Sequence, residues 1–203
     1  AALDLEGKIL IAKHDLQAAR PVVDRARALR EQAQGPDHPD VAASLNTLAS
    51  LLHFEAPQSE EVVQLLKRAL AIREQALRPD HTDVATSLND LGVVLYARGE
   101  YGEARPYCER ALAIRERVFG PSSSEVAITL TNLGGLLQVE GDYSGARPLL
   151  ERALAIKEKR FGPDHPELAN SLNTLAVLLR HQGDWAAARP LYERALAIWD
   201  PYG

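Results

Sequence analysis

The sequence has only one cysteine and no methionine among its 203 residues. Because Cys108 has no second thiol to pair with, a disulfide within the chain is excluded, which fits a reducing compartment. The first residues, AALDLEGKIL, include acidic side chains and lack a long apolar core, so they do not resemble a secretion signal. We therefore predict a cytoplasmic protein.

Long apolar runs and blocks of like charge are missing as well. The longest apolar stretches, such as LASLL and LGVVL, are far shorter than the roughly 18 to 20 residues of a membrane span. The 28 acidic and 23 basic residues are spread along the chain, whereas binding to phosphates requires a basic stripe. The sequence therefore predicts neither a membrane segment nor a nucleic-acid partner.

An internal repeat dominates what the sequence does contain. The segments ARPYCERALAI, ARPLLERALAI and ARPLYERALAI place Pro106, Pro148 and Pro190 at intervals of 42 residues. The segments SLNTLASLL, SLNDLGVVL, TLTNLGGLL and SLNTLAVLL recur with nearly the same spacing. A repeat of this length with two helical patterns cannot bury its apolar face alone, so the repeats are expected to stack into a solenoid.

Each repeat has the pattern of two antiparallel helices. Within residues 82–118, apolar residues from Val84 to Leu95 recur at helical spacing, and a second apolar pattern begins after Gly99. Glycine at this turn permits a left-handed conformation. Segments of the GPDHP type separate the repeats, where glycine and proline end one helix and Asp, Ser or Thr can cap the next.

These residues resemble a known family. Leu91-Gly92, Leu95, Gly99 and Ala104, with their counterparts in the other repeats, resemble the tetratricopeptide repeat signature. The 42-residue length, the SLN-LA and ERALAI segments and the GPDHP linker are similar, more narrowly, to the repeats of kinesin light chain. The resemblance covers nearly the whole chain and implies an all-α, right-handed α-solenoid of about five antiparallel helix pairs, a tetratricopeptide-like superhelix.

The resemblance also implies one repeat domain over residues 1–203, which is a fragment of a larger protein. The first repeat has a shortened first helix, in which Gly7 to Ile11 is expected to match LASLL. The second repeat is one residue longer, with Pro57 near its turn and no glycine there, so we expect a wider turn or a tilted pair. The predicted repeats are residues 1–36, 37–79, 80–121, 122–163 and 164–203.

In the tetratricopeptide family the first helix of each pair lines a concave groove. The middle of that surface would hold Asn46, Asn89 and Asn173, with Thr131 at the same position. A carboxamide can donate to and accept from the main chain of an extended peptide. The same amides can instead hydrogen-bond a neighbouring helix and hold the superhelix pitch; the sequence leaves both interpretations open. The predicted groove residues are Asn46, Ser50, His53, Thr86, Asn89, Asp90, Val93, Tyr96, Thr131, Asn132, Gln138, Asn170, Asn173, Thr174 and Arg180.

Signatures of catalysis and cofactor binding are missing. The sequence has no glycine-rich phosphate loop, nucleophile elbow or paired-carboxylate motif. Asp37-His38, Asp80-His81 and Asp164-His165 have the chemistry of metal ligands, but stacked repeats would hold them apart, so helix capping is the better interpretation. Cys108 occupies an apolar helix position and is expected in the core. We predict no enzyme activity, no cofactor and no metal.

Three functions remain compatible with the sequence. The first is a non-catalytic scaffold that binds an extended peptide or protein segment in the groove, without the cationic carboxylate clamp of chaperone-binding relatives because those positions are neutral here. The second is a regulatory or sensor arm of a larger signalling protein, with a nucleotide-binding or protease-like domain. The third is structural self-assembly, in which an apolar end carrying Trp199 and Tyr202 packs end to end on a second copy.

Overall fold

The computed structural model describes residues 2–199, except for the side chains of Ala2 and Asp4. All regular structure in this range is helical, so the predicted all-α class is confirmed. A short 3-10 turn, Pro166–Leu168, precedes the ninth helix. The ten α-helices are α1 (Ala2–Ala12), α2 (Leu16–Gln34), α3 (Pro39–Glu55), α4 (Glu60–Ala76), α5 (Thr82–Ala97), α6 (Tyr101–Phe119), α7 (Ser124–Val139), α8 (Tyr143–Phe161), α9 (Ala169–His181) and α10 (Trp185–Trp199).

The chain divides into two compact units, unit 1 (Ala1–Ala111) and unit 2 (Leu112–Gly203). In unit 1, α1 pairs with α2 and α3 pairs with α4, while α3 contacts both α1 and α5. These contacts place α1, α3 and α5 side by side, and we call their shared surface the first-helix layer. The buried side chains of Val41, Leu45, Ala69 and Ile72 form a core cluster between α3 and α4.

Unit 2 repeats the same arrangement. Helix α7 pairs with α8, α9 pairs with α10, and α7 contacts α9. Its core cluster includes Val126, Leu130, Ala153 and Ile156, with Leu112 and Leu149 packed against it. The predicted single domain over all five repeats stays a prediction.

Glycine allows the two helices of a pair to approach closely. A Cβ atom on Gly92 would lie 2.5 Å from the Cys108 Sγ atom, and one on Gly7 would lie 2.8 Å from the Val23 Cγ2 atom. Gly7 therefore takes the place of Gly92 in the first repeat. The expected match of Gly7–Ile11 to LASLL is wrong by one residue, because the close contact with Val23 aligns residues 6–10 with that segment. Cys108 is buried, as predicted.

The turn of the second repeat is wider than the others, as its extra residue predicts. Residues 56–59 connect α3 to α4, whereas residues 98–100 connect α5 to α6. Arg98 fastens this wider turn, since its guanidinium donates to the Gln58 carbonyl (2.9 Å) and to the Glu60 carboxylate (2.9 Å). Gly99 has the expected left-handed conformation, with φ at 80°.

Histidine caps the N-terminus of a helix in three of the repeats. Sequence reasoning did not identify histidine as the capping residue. The Nδ1 atoms of His38, His81 and His165 accept hydrogen bonds, at 3.1 to 3.2 Å, from the backbone N–H groups two residues on. The Asp-His pairs thus do serve capping, but through the imidazole and not the carboxylate. Ser123 caps α7 at the equivalent place, with its Oγ atom 3.3 Å from the Val126 nitrogen.

A second recurring contact joins each repeat to the next. A basic side chain on a second helix donates to a hydroxyl on the following first helix, fourteen residues later in the chain. Because the hydroxyls are buried, these bonds satisfy polar groups inside the stack. The pairs are Arg30–Ser44 (2.7 Å), Arg73–Ser87 (2.6 Å), Arg115–Thr129 (2.6 Å) and Lys157–Ser171 (2.7 Å).

Candidate functional site

The first-helix layer of unit 1 contains a cavity of about 360 Å³, which we call cavity A. Helix α1 contributes Lys8 to its lining, and α4 contributes Arg73. The complete lining is Lys8, Ile11, Ala12, Ala43, Asn46, Thr47, Ser50, Arg73, Thr86 and Asp90.

A second cavity of about 320 Å³, cavity B, adjoins the first. Ser50 and Asp90 line both cavities. Phe54 and Val93 are exposed residues of cavity B, at 50% and 39% of their surface. The complete lining is Ala49, Ser50, His53, Phe54, Leu66, Asn89, Asp90, Val93 and Val94. The two cavities together form a trough along α3 and α5.

The predicted carboxamides in unit 1 differ in how accessible they are. The Asn46 side chain donates from Nδ2 to Asp90 Oδ2 at 2.8 Å, so it links α3 to α5. Its Oδ1 atom is buried and has no hydrogen-bond partner among the described residues. Asn89 is only 8% exposed. The Asn46 side chain therefore hydrogen-bonds a neighbouring helix, which is the second of the two interpretations that the sequence left open. A contact of Asn46 or Asn89 with a ligand stays a prediction.

Most of the remaining predicted groove residues of unit 1 line the trough. Ser50 and Thr86 are exposed, and their hydroxyls donate to the Asn46 and Thr82 carbonyls one turn earlier, at 3.0 and 3.1 Å. His53 has a buried Nδ1 atom without a partner among the described residues. Tyr96 lies outside both cavities, and its ring centroid is 5.6 Å from that of Tyr101.

The predicted groove residues of unit 2 lie on α7 and α9. Thr131 and Thr174 donate to the Ala127 and Asn170 carbonyls of their own helices, at 2.9 and 2.8 Å. Gln138 has a buried Oε1 atom with no partner in the part of the chain described. Asn132 and Asn173 are half-buried, whereas Asn170 and Arg180 are exposed.

Two basic residues of the trough lie outside the predicted set of groove residues. Lys8 belongs to the shortened first repeat, where the pattern is weakest. Arg73 lies on α4, a second helix and not one of the first helices expected to line the groove, yet it lines cavity A and is only 6% exposed. Burial lowers the pKa of Arg73, and the nearby carboxylates of Asp83 and Asp90 oppose this shift. The recurrence of a basic residue at positions 30, 73, 115 and 157 was the available signal.

Neither a reactive thiol nor a metal site nor a membrane helix is found among the described residues. Burial raises the pKa of the Cys108 thiol to about 11, so this thiol is neutral near pH 7. No group of three or more His, Cys, Asp or Glu residues within residues 2–199 could hold a metal ion. In the same range, no helix has the length and apolar character needed to cross a membrane.

One end of unit 2 has exposed apolar side chains. Leu196 and Trp199 on α10 are 60% and 57% exposed. Trp199 stands where the preceding repeats have Arg115 and Lys157, the donors to the next first helix. Tyr202, also predicted at this end, lies outside the described residues. Self-association through this end stays a prediction.

Comparison with solved structures shows the same fold in other repeat arrays. The nearly identical tetratricopeptide-like repeats of a kinesin light chain from Podosopora anserina share 24% identity at a TM-score of 0.80, with 98% of this chain and 94% of that chain covered. BtubC (BKLC) from P. vanneervenii shares 24% identity at a TM-score of 0.83, with 98% and 79% covered. At such identities the similarity shows the fold alone.

A third similar structure has a bound peptide. The Rap conjugation gene regulator of plasmid pLS20, in complex with the Phr peptide, shares 17% identity at a TM-score of 0.72. The match covers 97% of this chain and 52% of that one. No curated protein sequence matches this chain.

The sequence profile of the tetratricopeptide repeat matches residues 1–75, 58–117, 83–159 and 125–200. These matches overlap and span nearly the whole chain, in agreement with the helix pairs, the close glycine contacts and the kinesin-light-chain-like fold. The chain therefore belongs to the tetratricopeptide repeat family.

Proposed function

We propose that this chain is a non-catalytic protein-interaction scaffold that binds an extended peptide or protein segment on the first-helix layer of unit 1. The trough formed by cavities A and B carries this proposal. It combines apolar walls with a few polar groups, which is the usual composition of a ligand site. Seven of the predicted groove residues line it: Asn46, Ser50, His53, Thr86, Asn89, Asp90 and Val93.

The polar groups of the trough suit the main chain of a peptide. Ser50 and Thr86 use their hydroxyl hydrogens within their own helices, so their oxygens can accept hydrogen bonds from peptide N–H groups. The exposed Lys8 can donate to peptide carbonyl groups. An extended segment presents both kinds of group along its length, whereas a small apolar ligand presents neither.

The family and one similar structure support this proposal. The Rap regulator, which has the same fold, was solved with a peptide bound. The buried, neutral Cys108 is unsuited to act as a nucleophile, which agrees with a non-catalytic role. The cytoplasmic setting inferred from the cysteine content is part of the same proposal.

Selection from a random peptide library on the immobilised chain tests the proposal. Ser50→Arg would place a long side chain at the border of both cavities. We expect it to weaken the binding of the recovered peptides at least about tenfold. Ala71→Arg is the matched control, because Ala71 is exposed on α4 and lines neither cavity. Circular dichroism melting of both variants confirms that they are folded.

Two results would contradict the proposal. One is that no peptide is retained by the wild-type chain. The other is that Ser50→Arg and Ala71→Arg weaken the binding of the recovered peptides equally, because binding would then not depend on the trough.

A further inference from the structure

Asp90 introduces a charge at a position where the other repeats are neutral. The equivalent residues are Thr47, Asn132 and Thr174. All three repeats form the same helix pair without a carboxylate at this position, so the fold does not require one. Asp90 is half-buried and lies at the border of the two cavities. Asp90 accepts a hydrogen bond from Asn46 at 2.8 Å and opposes the pKa shift of the buried Arg73, but the later repeats hold the equivalent Arg115 and Lys157 without a carboxylate at this position. The place of Asp90 at the border of the two cavities therefore suits a role in ligand recognition.

Cavity B combines apolar walls with four polar residues, Ser50, His53, Asn89 and Asp90. Leu66, Val94 and Ala49 are buried apolar residues of its lining, and Val93 and Phe54 add exposed apolar surface. Asp90 is the only Asp, Glu, Lys or Arg in the lining. A side chain that fits this cavity should therefore have an apolar stem and a polar end that donates hydrogen bonds.

The charges of cavity A differ from those of cavity B. Lys8 and Arg73 both line cavity A, together with the shared Asp90. A cationic ligand group would lie among Lys8, Arg73 and Asp90 in cavity A, whereas Asp90 is the charged residue that lines cavity B and Arg73 acts on its carboxylate from outside that lining. The trough therefore has a positively charged part and a negatively charged part, and a basic group is favoured in cavity B.

Building on the proposed function, we propose that cavity B is a specificity pocket for one basic side chain, arginine or lysine, of the bound peptide. The aliphatic stem packs against Leu66, Val93 and Val94. The charged end lies near the Asp90 carboxylate and can approach the face of the Phe54 ring, where cations are attracted to the aromatic quadrupole.

Other side chains fit this cavity less well. An acidic side chain would be repelled by Asp90. An aliphatic or phenyl side chain would remove water from the carboxylate without offering a donor, which is unfavourable in a partly buried site. The volume of about 320 Å³ is ample for a long side chain.

A positional-scanning peptide library on the immobilised full chain tests this inference. In each sub-library one position is fixed as Arg, Lys, Gln, Glu, Leu or Trp. We expect one position at which Arg or Lys is retained at least about tenfold better than Gln or Glu. The preference should fall as the salt concentration rises, because a charge pair is screened.

Two substitutions assign the preference to Asp90. Asp90→Asn installs the side chain that repeat four has at Asn132, and it should reduce the retention of Arg and Lys at that position to that of Gln. Asp83→Asn is the matched control, since it removes the same charge from an exposed carboxylate of α5 outside both cavities. If Asp90→Asn does not fold, Asp90→Thr provides the side chain of Thr47 and Thr174.

The outcomes separate this inference from the function on which it rests. If peptides bind without a preference for Arg or Lys at any position, the specificity pocket is overturned and the proposed function stands. If Asp83→Asn reduces the preference as much as Asp90→Asn, the specificity pocket is also overturned. If no peptide binds at all, both proposals fail.

Discussion

Gly134 shows how little space separates the two helices of a pair. A Cβ atom at this position would lie 2.6 Å from the Leu150 Cδ2 atom and 3.5 Å from the Ala146 carbonyl oxygen. Gly134→Ala should therefore lower the free energy of unfolding by about 1–3 kcal/mol, because the buried Leu150 must move. Urea unfolding at constant temperature measures this change.

The neighbouring glycine is the matched control for this prediction. A Cβ atom on Gly135 would have no neighbour within 4 Å. Gly135→Ala should leave the stability unchanged or raise it by about 0.5–1 kcal/mol, because alanine has the higher helix propensity. If both substitutions destabilise equally, helix packing at Gly134 is not the cause.

The Cys108 thiol should make stability depend on pH in the alkaline range. Burial raises its pKa from 9.0 to about 11, so the folded state favours the neutral thiol. A group with a raised pKa in the folded state contributes stability that is complete below pH 9 and is lost as the pH rises through about 11. The denaturant concentration at the unfolding midpoint, measured between pH 8 and 11, should therefore decrease as the pH rises above 9.

Cys108→Ala provides the comparison. This variant starts from a lower stability because it removes packed atoms. It should lose less of that stability between pH 9 and pH 11 than the wild-type chain loses. Parallel curves for the two proteins would show that the thiol makes no contribution.

At the scale of helices, the contact between a basic residue and a hydroxyl joins successive repeats. Arg115 on α6 donates to the Thr129 hydroxyl at 2.6 Å and to the Glu125 carbonyl at 3.3 Å. Thr129→Val should lower the free energy of unfolding by about 1–3 kcal/mol, because a buried charged donor loses an acceptor. Denaturant unfolding measures the loss.

Thr131→Val is the control for the preceding substitution. The Thr131 hydroxyl donates to the Ala127 carbonyl of its own helix at 2.9 Å, so a loss of less than about 1 kcal/mol is expected. A double-mutant cycle with Arg115→Met should give a coupling energy for the Arg115–Thr129 pair. A coupling energy near zero would mean that this contact does not hold the repeats together.

At the scale of the whole molecule, the proposed binding surface lies in unit 1. A peptide selected on the chain should slow hydrogen exchange in α3 and α5 far more than in α8 or α10, because the trough is formed by the first-helix layer. Mass spectrometry of exchanged fragments, with and without the peptide, measures this difference. Protection confined to α7–α10 would place binding on unit 2 and contradict the proposal.

The sequence by itself determined the repeat length, the helix pairs and the membership of the tetratricopeptide family. These properties follow from local information: apolar residues at helical spacing, glycine at turns and prolines between repeats. The sequence also identified Gly92 as part of the family signature and Cys108 as an apolar position of the second helix, while the structure shows that the two residues face each other.

Only the tertiary structure decided which of the predicted groove positions line a cavity. The buried position of Asn89, the bond from Asn46 to Asp90 and the reach of Arg73 into cavity A all depend on neighbouring helices. A repeat pattern gives equivalent residues equivalent positions, but cavity shape comes from side chains of several repeats packing together. Asp90 is therefore one groove position among many in the sequence, whereas in the structure it borders both cavities.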